Sequence, residues 1–158
     1  MLLHRGFMKI RADWPVRFIQ FLAIPGLLVA YYLWLYHEGS LVAACTGSGW
    51  DDCGRVSGPG APYSSIGPIP IAMIGFVGYA TIFSLIWLKD WIPWLDQNLA
   101  ELLVGATGLG FLFSLGLTLL ELIVIHAICR YCVVSAVIMT VLFFLAILNL
   151  RRRATLEP

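Results

Sequence analysis

Long apolar runs broken by short polar stretches dominate this 158-residue chain. Four runs are long enough to cross a bilayer, at about residues 18–36, 69–88, 102–125 and 128–150. Each carries about the twenty apolar residues that a ~30 Å hydrocarbon core requires at about 1.5 Å per helical residue. A backbone in lipid must satisfy its own hydrogen bonds, so these runs are predicted as helices rather than strands. The pattern predicts an all-α membrane protein, a four-transmembrane-helix bundle forming one integral membrane domain over residues 1–158. Its largest extramembrane piece is the loop 37–68 between helices 1 and 2.

Composition agrees with that pattern and narrows it. Hydrophobic residues make up 60% of the chain and charged residues 12%, with a mean hydropathy of +0.88. A soluble domain carries roughly a quarter charged residues, about twice this share. The net charge of +1, with no basic block, speaks against a nucleic-acid partner. The placement of the charges is more informative. Arg5, Lys9, Arg11 and Arg17 precede or open the first run, Lys89 follows the second, and Arg151, Arg152 and Arg153 follow the fourth. With four crossings these eight lie on one side, and only Arg55 and Arg130 fall on the other. Cytoplasmic loops hold the excess of Lys and Arg, so both termini are expected in the cytoplasm and the first loop outside it. Trp14, Trp87, Trp91 and Trp94 fit an inner aromatic belt, and Trp34, Tyr36, Tyr63 and Tyr131 an outer one.

The first loop is rich in Gly and Pro and reads mostly as turns. A short helical turn is expected near Asp51–Val56, with Asp51 and Asp52 at its start. Val42-Ala43-Ala44-Cys45 resembles a lipoprotein cleavage box, but the preceding apolar run exceeds a signal core of about 7–15 residues. Ala72, Gly75 and Gly78 on the second run, and Ala106 and Gly110 on the third, suit close helix contacts.

The chemistry lies in four cysteines, all predicted on one membrane face: Cys45 and Cys53 in the first loop, and Cys129-x-x-Cys132 opening the last helix. An i, i+3 pair shares a helix face, and unpaired N–H groups at a helix start favour a thiolate. Arg130 adds positive charge, which makes such a pair reactive. A structural Cys129–Cys132 disulfide is the plainer alternative. A zinc site is a third, but the seven residues between Cys45 and Cys53 exceed the usual spacing of about two to four, so no metal is expected. The Cys45/Cys53 pair either staples the loop or shuttles, since exchange needs one thiolate to reach another disulfide.

The chain resembles the vitamin K epoxide reductase family in its bacterial disulfide-forming branch. The residues that carry the resemblance are Cys45 through Arg55 (CTGSGWDDCGR), Ile69 through Tyr79 (IPIAMIGFVGY) and Leu120 through Ala136 (LELIVIHAICRYCVVSA). The likeness spans about residues 15–150. It implies a membrane thiol–disulfide oxidoreductase in which Cys45 meets a periplasmic thioredoxin-fold partner. It further implies that Cys53 exchanges with Cys129 and that Cys132 reacts with a membrane quinone, ubiquinone or menaquinone (vitamin K). It also implies a multi-pass protein of the bacterial inner membrane. The chain departs from the family in having Arg130 where a Pro is frequent and Pro59 where a serine is expected, with Ser57 the nearest hydroxyl. Ile71 and Ala136 stand where the animal enzymes have a quinone-binding Asn and Tyr.

Around Cys132, the small residues Ser135 and Ala136 leave room for a flat ligand. Apart from Arg130 at the start of the fourth run, Glu121 is the one charge inside a crossing, costing at least about 2.5 kcal/mol at a bilayer centre, and is read as either functional or a helix-packing contact. His126 is read as a proton carrier or thiolate partner, or as an interfacial histidine without a role. The expected chemistry is disulfide exchange followed by thiolate attack on the quinone ring. Two other functions fit the same residues: quinone or vitamin K epoxide reduction in a eukaryotic lumen, and a non-catalytic scaffold stapled by two permanent disulfides.

Overall fold

In the computed structural model, residues 14–42 and 49–156 are described. Arg5, Lys9, Arg11, Ala43, Ala44 and Cys45 lie outside them. The order is α1 (Trp14–His37), a short helix α2 (Cys53–Ser57), a hairpin of β1 (Ser65–Ile66) and β2 (Ile69–Pro70), α3 (Ile71–Leu88), α4 (Pro93–Leu120), a π-helical turn (Glu121–Ile125) and α5 (Arg130–Leu156). Among the described residues, four segments are long and apolar enough to cross a membrane: Trp14–His37, Ile71–Leu88, Pro93–Ile125 and Arg130–Thr155. The four-helix membrane fold expected from the sequence is therefore present.

Neighbouring helices form a ring: α1 packs on α3 and α5, α5 on α4, and α4 more lightly on α3. Their shared core holds Val16, Ile19 and Ala23 of α1, Tyr79 and Ile82 of α3, Leu99 and Leu103 of α4, and Met139 and Leu142 of α5. Large apolar side chains such as Phe21 (71% exposed) and Leu109 (73% exposed) point outward. Such a surface would aggregate in water and suits lipid.

Helix ends differ from the hydropathy reading where polar residues share a turn with buried ones. The third crossing helix begins at Pro93, not near residue 102, with proline in its first turn. Leu95, Leu99 and Ala100 are buried along this extension, while Asp96 is partly exposed and Glu101 exposed. A window seeking unbroken hydrophobicity misses so amphipathic a start. Arg153 secures it from α5, donating to the Asp96 carbonyl (2.8 Å) and facing its carboxylate at 3.8 Å. The last helix begins at Arg130 and continues through Arg151–Arg153.

The loop also holds a hairpin that the turn-rich composition did not reveal. Ser65 pairs with Pro70 and Ile66 with Ile69, and Gly67 takes φ +61° in the two-residue connection. Tyr36, expected in the outer aromatic belt, is instead buried at 7% exposure against the thiol cluster.

Close helix approach is concentrated at other glycines than most of those the spacing suggested. A Cβ on Gly110 would press on the Met139 sulfur (2.8 Å), whereas one on Gly78 would meet nothing within 4 Å. At Gly26 a Cβ would run into the ring of Tyr79, which is buried and held by its hydroxyl to Ser135. Gly26→Ala is therefore expected to destabilise the bundle by about 1–3 kcal/mol. Gly78→Ala should change stability by less than about 0.5 kcal/mol. Denaturant unfolding in detergent compares the two, and equal effects would contradict the packing described.

Candidate active site

The loop reaches the head of α5 through backbone pairing. Asp52 N–H donates to the Ile128 carbonyl (3.2 Å) and Ile128 N–H to the Trp50 carbonyl (2.6 Å), a parallel bridge centred on Asp51 and Ile128. Beside it the Arg130 guanidinium pairs with the Asp51 carboxylate. The Asp52 side chain caps α2, accepting from Gly54 N–H (2.9 Å) and Arg55 N–H (3.2 Å). The two aspartates thus divide the work: Asp52 starts the helix and Asp51 docks it. Arg55 donates to the Ile125 carbonyl (3.1 Å) at the end of the π-helical turn, where intrahelical partners run out.

This docking brings cysteines together. Cys53 and Cys129 are both fully buried, in one cluster with Leu33, Tyr36, Val56 and Ile125. Cys53 is disulfide-bonded, whereas Cys129 and Cys132 are thiols. The carbonyl of Cys129 accepts the first helical bond of α5, from Val133 N–H (3.0 Å), so this residue occupies the N-cap position. The Cys132 thiol, followed by the backbone N–H groups of Cys132 and Tyr131, draws the Cys129 thiol below its ordinary value of 9.0; burial and the charge of Glu121 oppose that shift. Asp51 is likewise held below the usual carboxylate value by its hydrogen bond to Arg130.

Beneath the loop lies a cavity of about 110 Å³. Cys132 lines it, with Ser57, Glu121 and Ser135 and mostly aliphatic or aromatic neighbours. Ser57 Oγ stands 3.5 Å from Cys132 Sγ. Glu121 is buried, and its carboxylate accepts the Cys129 N–H at 3.2 Å. Ser135 meets the Tyr79 hydroxyl, which donates to its carbonyl (2.9 Å) and lies 3.0 Å from its Oγ. Ile71 also lines the cavity.

The site residues expected from sequence are placed as follows. Cys53, Cys129, Cys132, Glu121 and Ser135 surround the loop–α5 junction, and Cys45 lies outside the described residues. Ala136 is not among the cavity-lining residues. His126 is exposed in the left-handed region at φ +52°, with its ring 6.4 Å from that of Trp50 rather than in the cavity. Sequence reasoning missed His37 and Tyr79. His37 closes an apolar helix and reads as an ordinary interfacial residue, and no periodicity distinguishes Tyr79 from other core aromatics.

A thiol pair at the head of a membrane helix, covered by a cysteine-bearing loop, defines a membrane oxidoreductase that works through thiols. The model of the vitamin K epoxide reductase family matches residues 17–147, and the chain belongs to that family. A comparison with curated proteins finds no match.

Because the Cys132 thiol contributes most to lowering the Cys129 value, Cys132→Ala should move the thiolate midpoint of Cys129 upward, toward 9.0. The thiolate is present above that midpoint and lost as the pH falls through it. Thiolate absorbance at 240 nm, read with Cys45 and Cys53 both replaced by Ala so that Cys129 stays a free thiol, and taken as the difference from the matching Cys129→Ala variant, measures the midpoint; an unchanged value in Cys132→Ala would count against the pairing.

Proposed function

We propose that this protein oxidises a thioredoxin-fold partner outside the cytoplasm and passes the electrons to a membrane quinone, driving disulfide formation. In this reading it is a multi-pass protein of the bacterial inner membrane, with both termini cytoplasmic and the cysteines periplasmic. One observation carries the proposal: Cys53 and Cys129 share a buried cluster, while Cys132, three residues further on, lines an apolar cavity.

The electrons move in pairs. A reduced partner opens the Cys45–Cys53 disulfide and leaves oxidised. The Cys53 thiolate then attacks Cys129 of a Cys129–Cys132 disulfide, and Cys132 departs as the leaving thiolate. Cys45 resolves the Cys53–Cys129 link, restoring the outer disulfide and leaving the inner pair reduced. A bound quinone supplies the two-electron, two-proton sink. When the inner pair closes to a disulfide, it releases those two electrons and two protons. Glu121, hydrogen-bonded to Cys129 N–H and beside the Cys132 thiol, is placed to take the proton of Cys132. Ser57 orients the Cys132 sulfur from the loop side. The residues present fit a quinone: the wall is largely apolar, with few polar groups beside the reactive sulfur.

Purified protein, given a reduced thioredoxin-fold donor and a short-tailed quinone, is expected to turn over both. Cys132→Ala should abolish quinone reduction, and full activity in that variant would refute the assigned role. Cys45→Ala should block oxidation of the protein donor while sparing reduction by a small dithiol, as followed by donor thiol loss. Equal loss with both reductants would contradict a shuttle. Non-reducing peptide mapping of Cys132→Ala should recover a Cys53–Cys129 link; two inert local bridges in the wild type would instead mark a scaffold.

A further inference from the structure

One polar group in the cavity wall has no part in the route above. His37, the last residue of α1, lines the same cavity as Cys132 and Glu121. Its Nδ1 is buried and has no hydrogen-bonding partner among the described residues. Buried polar atoms without partners are few in folded proteins, and each calls for an explanation. Several other polar groups of the wall are already engaged. Ser64 donates to the Ala61 carbonyl (2.8 Å), and Thr118 donates to the Ser114 carbonyl (3.0 Å). Ser135 is tied to Tyr79, and Ser57 faces Cys132. Glu121 accepts from Cys129 N–H and, when ionised, offers no donor. The orphaned ring nitrogen therefore belongs to a residue of the cavity wall and has no hydrogen bond of its own among the described residues.

We infer that His37 binds the electron acceptor, its Nδ1–H donating to a carbonyl oxygen of a quinone held beside Cys132. The inference rests on the quinone reading above and gives that acceptor a polar contact. A neutral imidazole carrying its proton on Nδ1 is a donor at that atom. Donation to an oxygen that gains negative charge strengthens as the charge develops, because charge-assisted hydrogen bonds exceed neutral ones. The contact therefore favours acceptors with a carbonyl oxygen over apolar molecules of similar shape. It also places the acceptor's polar end against the end of α1, in the same cavity as the Cys132 sulfur.

The test uses full-length protein in detergent and a short-tailed benzoquinone. Binding is followed by tryptophan fluorescence quenching, and turnover is measured alongside. His37→Leu should weaken binding about tenfold and raise KM similarly, the scale of one lost hydrogen bond. Reduction of the outer disulfide by a small dithiol should keep its wild-type rate in that variant. His37→Asn, which retains a side-chain N–H close to the position of Nδ1, should recover most of the affinity. Wild-type affinity in His37→Leu overturns the inference. So does parallel loss of quinone binding, dithiol reaction and thermal midpoint in both variants, which would mark His37 as structural. Wild-type protein that binds no quinone sinks the reading on which the inference rests, and the inference with it. Wild-type binding that survives His37→Leu sinks the inference alone.

Discussion

The bridge between Trp50–Asp52 and Ile128 is the constraint from which the site follows. Without it, the outer loop is a Gly- and Pro-rich connection with no reason to lie over α5. Two backbone hydrogen bonds and the Asp51–Arg130 pair fix where α2 begins, and Asp52 fixes how it begins. Cys53, the first residue of α2, is thereby buried against Cys129. The exposed ion pair adds little stability by itself, since such contacts are screened. Its value lies in registering a loop against a helix terminus alongside directional backbone bonds.

A helix terminus in or near a membrane creates a second constraint. The end of the α4–π-helical segment and the start of α5 both leave backbone groups without helical partners. Arg55 meets the Ile125 carbonyl, Glu121 meets the Cys129 N–H, and the loop backbone meets Ile128. Groups that satisfy this junction also surround the thiols. The carboxyl of Glu121, costly inside an apolar bundle, gains a backbone donor there and stands beside the reactive sulfurs. Its contact fits the packing reading made from sequence, and the helix end it satisfies carries the Cys129–Cys132 pair.

Packing below the junction gives the two neighbouring cysteines of the inner pair different surroundings. Cys129 belongs to the buried cluster under the loop, while Cys132 sits one helical turn deeper, on the cavity. One face of α5 thus presents one sulfur toward the loop and the other toward a largely apolar cavity. Tyr79, seated in the gap left by Gly26 and bonded to Ser135, ties α1, α3 and α5 together beside that space.

Much of this was legible in the chain because lipid imposes a simple rule. Twenty apolar residues in a row must form a helix, so the four crossings could be read without knowing any neighbour. Cysteine spacing, with the segments around it, pointed to the family and to a thiol pair at the head of α5. The amphipathic start at Pro93 was obscured because its buried face becomes visible only once a partner helix covers it. Asp51 and Asp52 looked equivalent in sequence, and only the position of Arg130 separated docking from capping. Tyr36 looked like an interfacial residue, and His126 was the histidine read as a candidate. Periodicity reports which way a residue faces along its own helix, but not what another segment brings to that face. The apolar crossings and the dithiols were therefore determined locally, whereas the cavity, its orphaned imidazole nitrogen and the meeting of Cys53 with Cys129 arise from contacts between residues far apart in the chain, which only the tertiary structure decides.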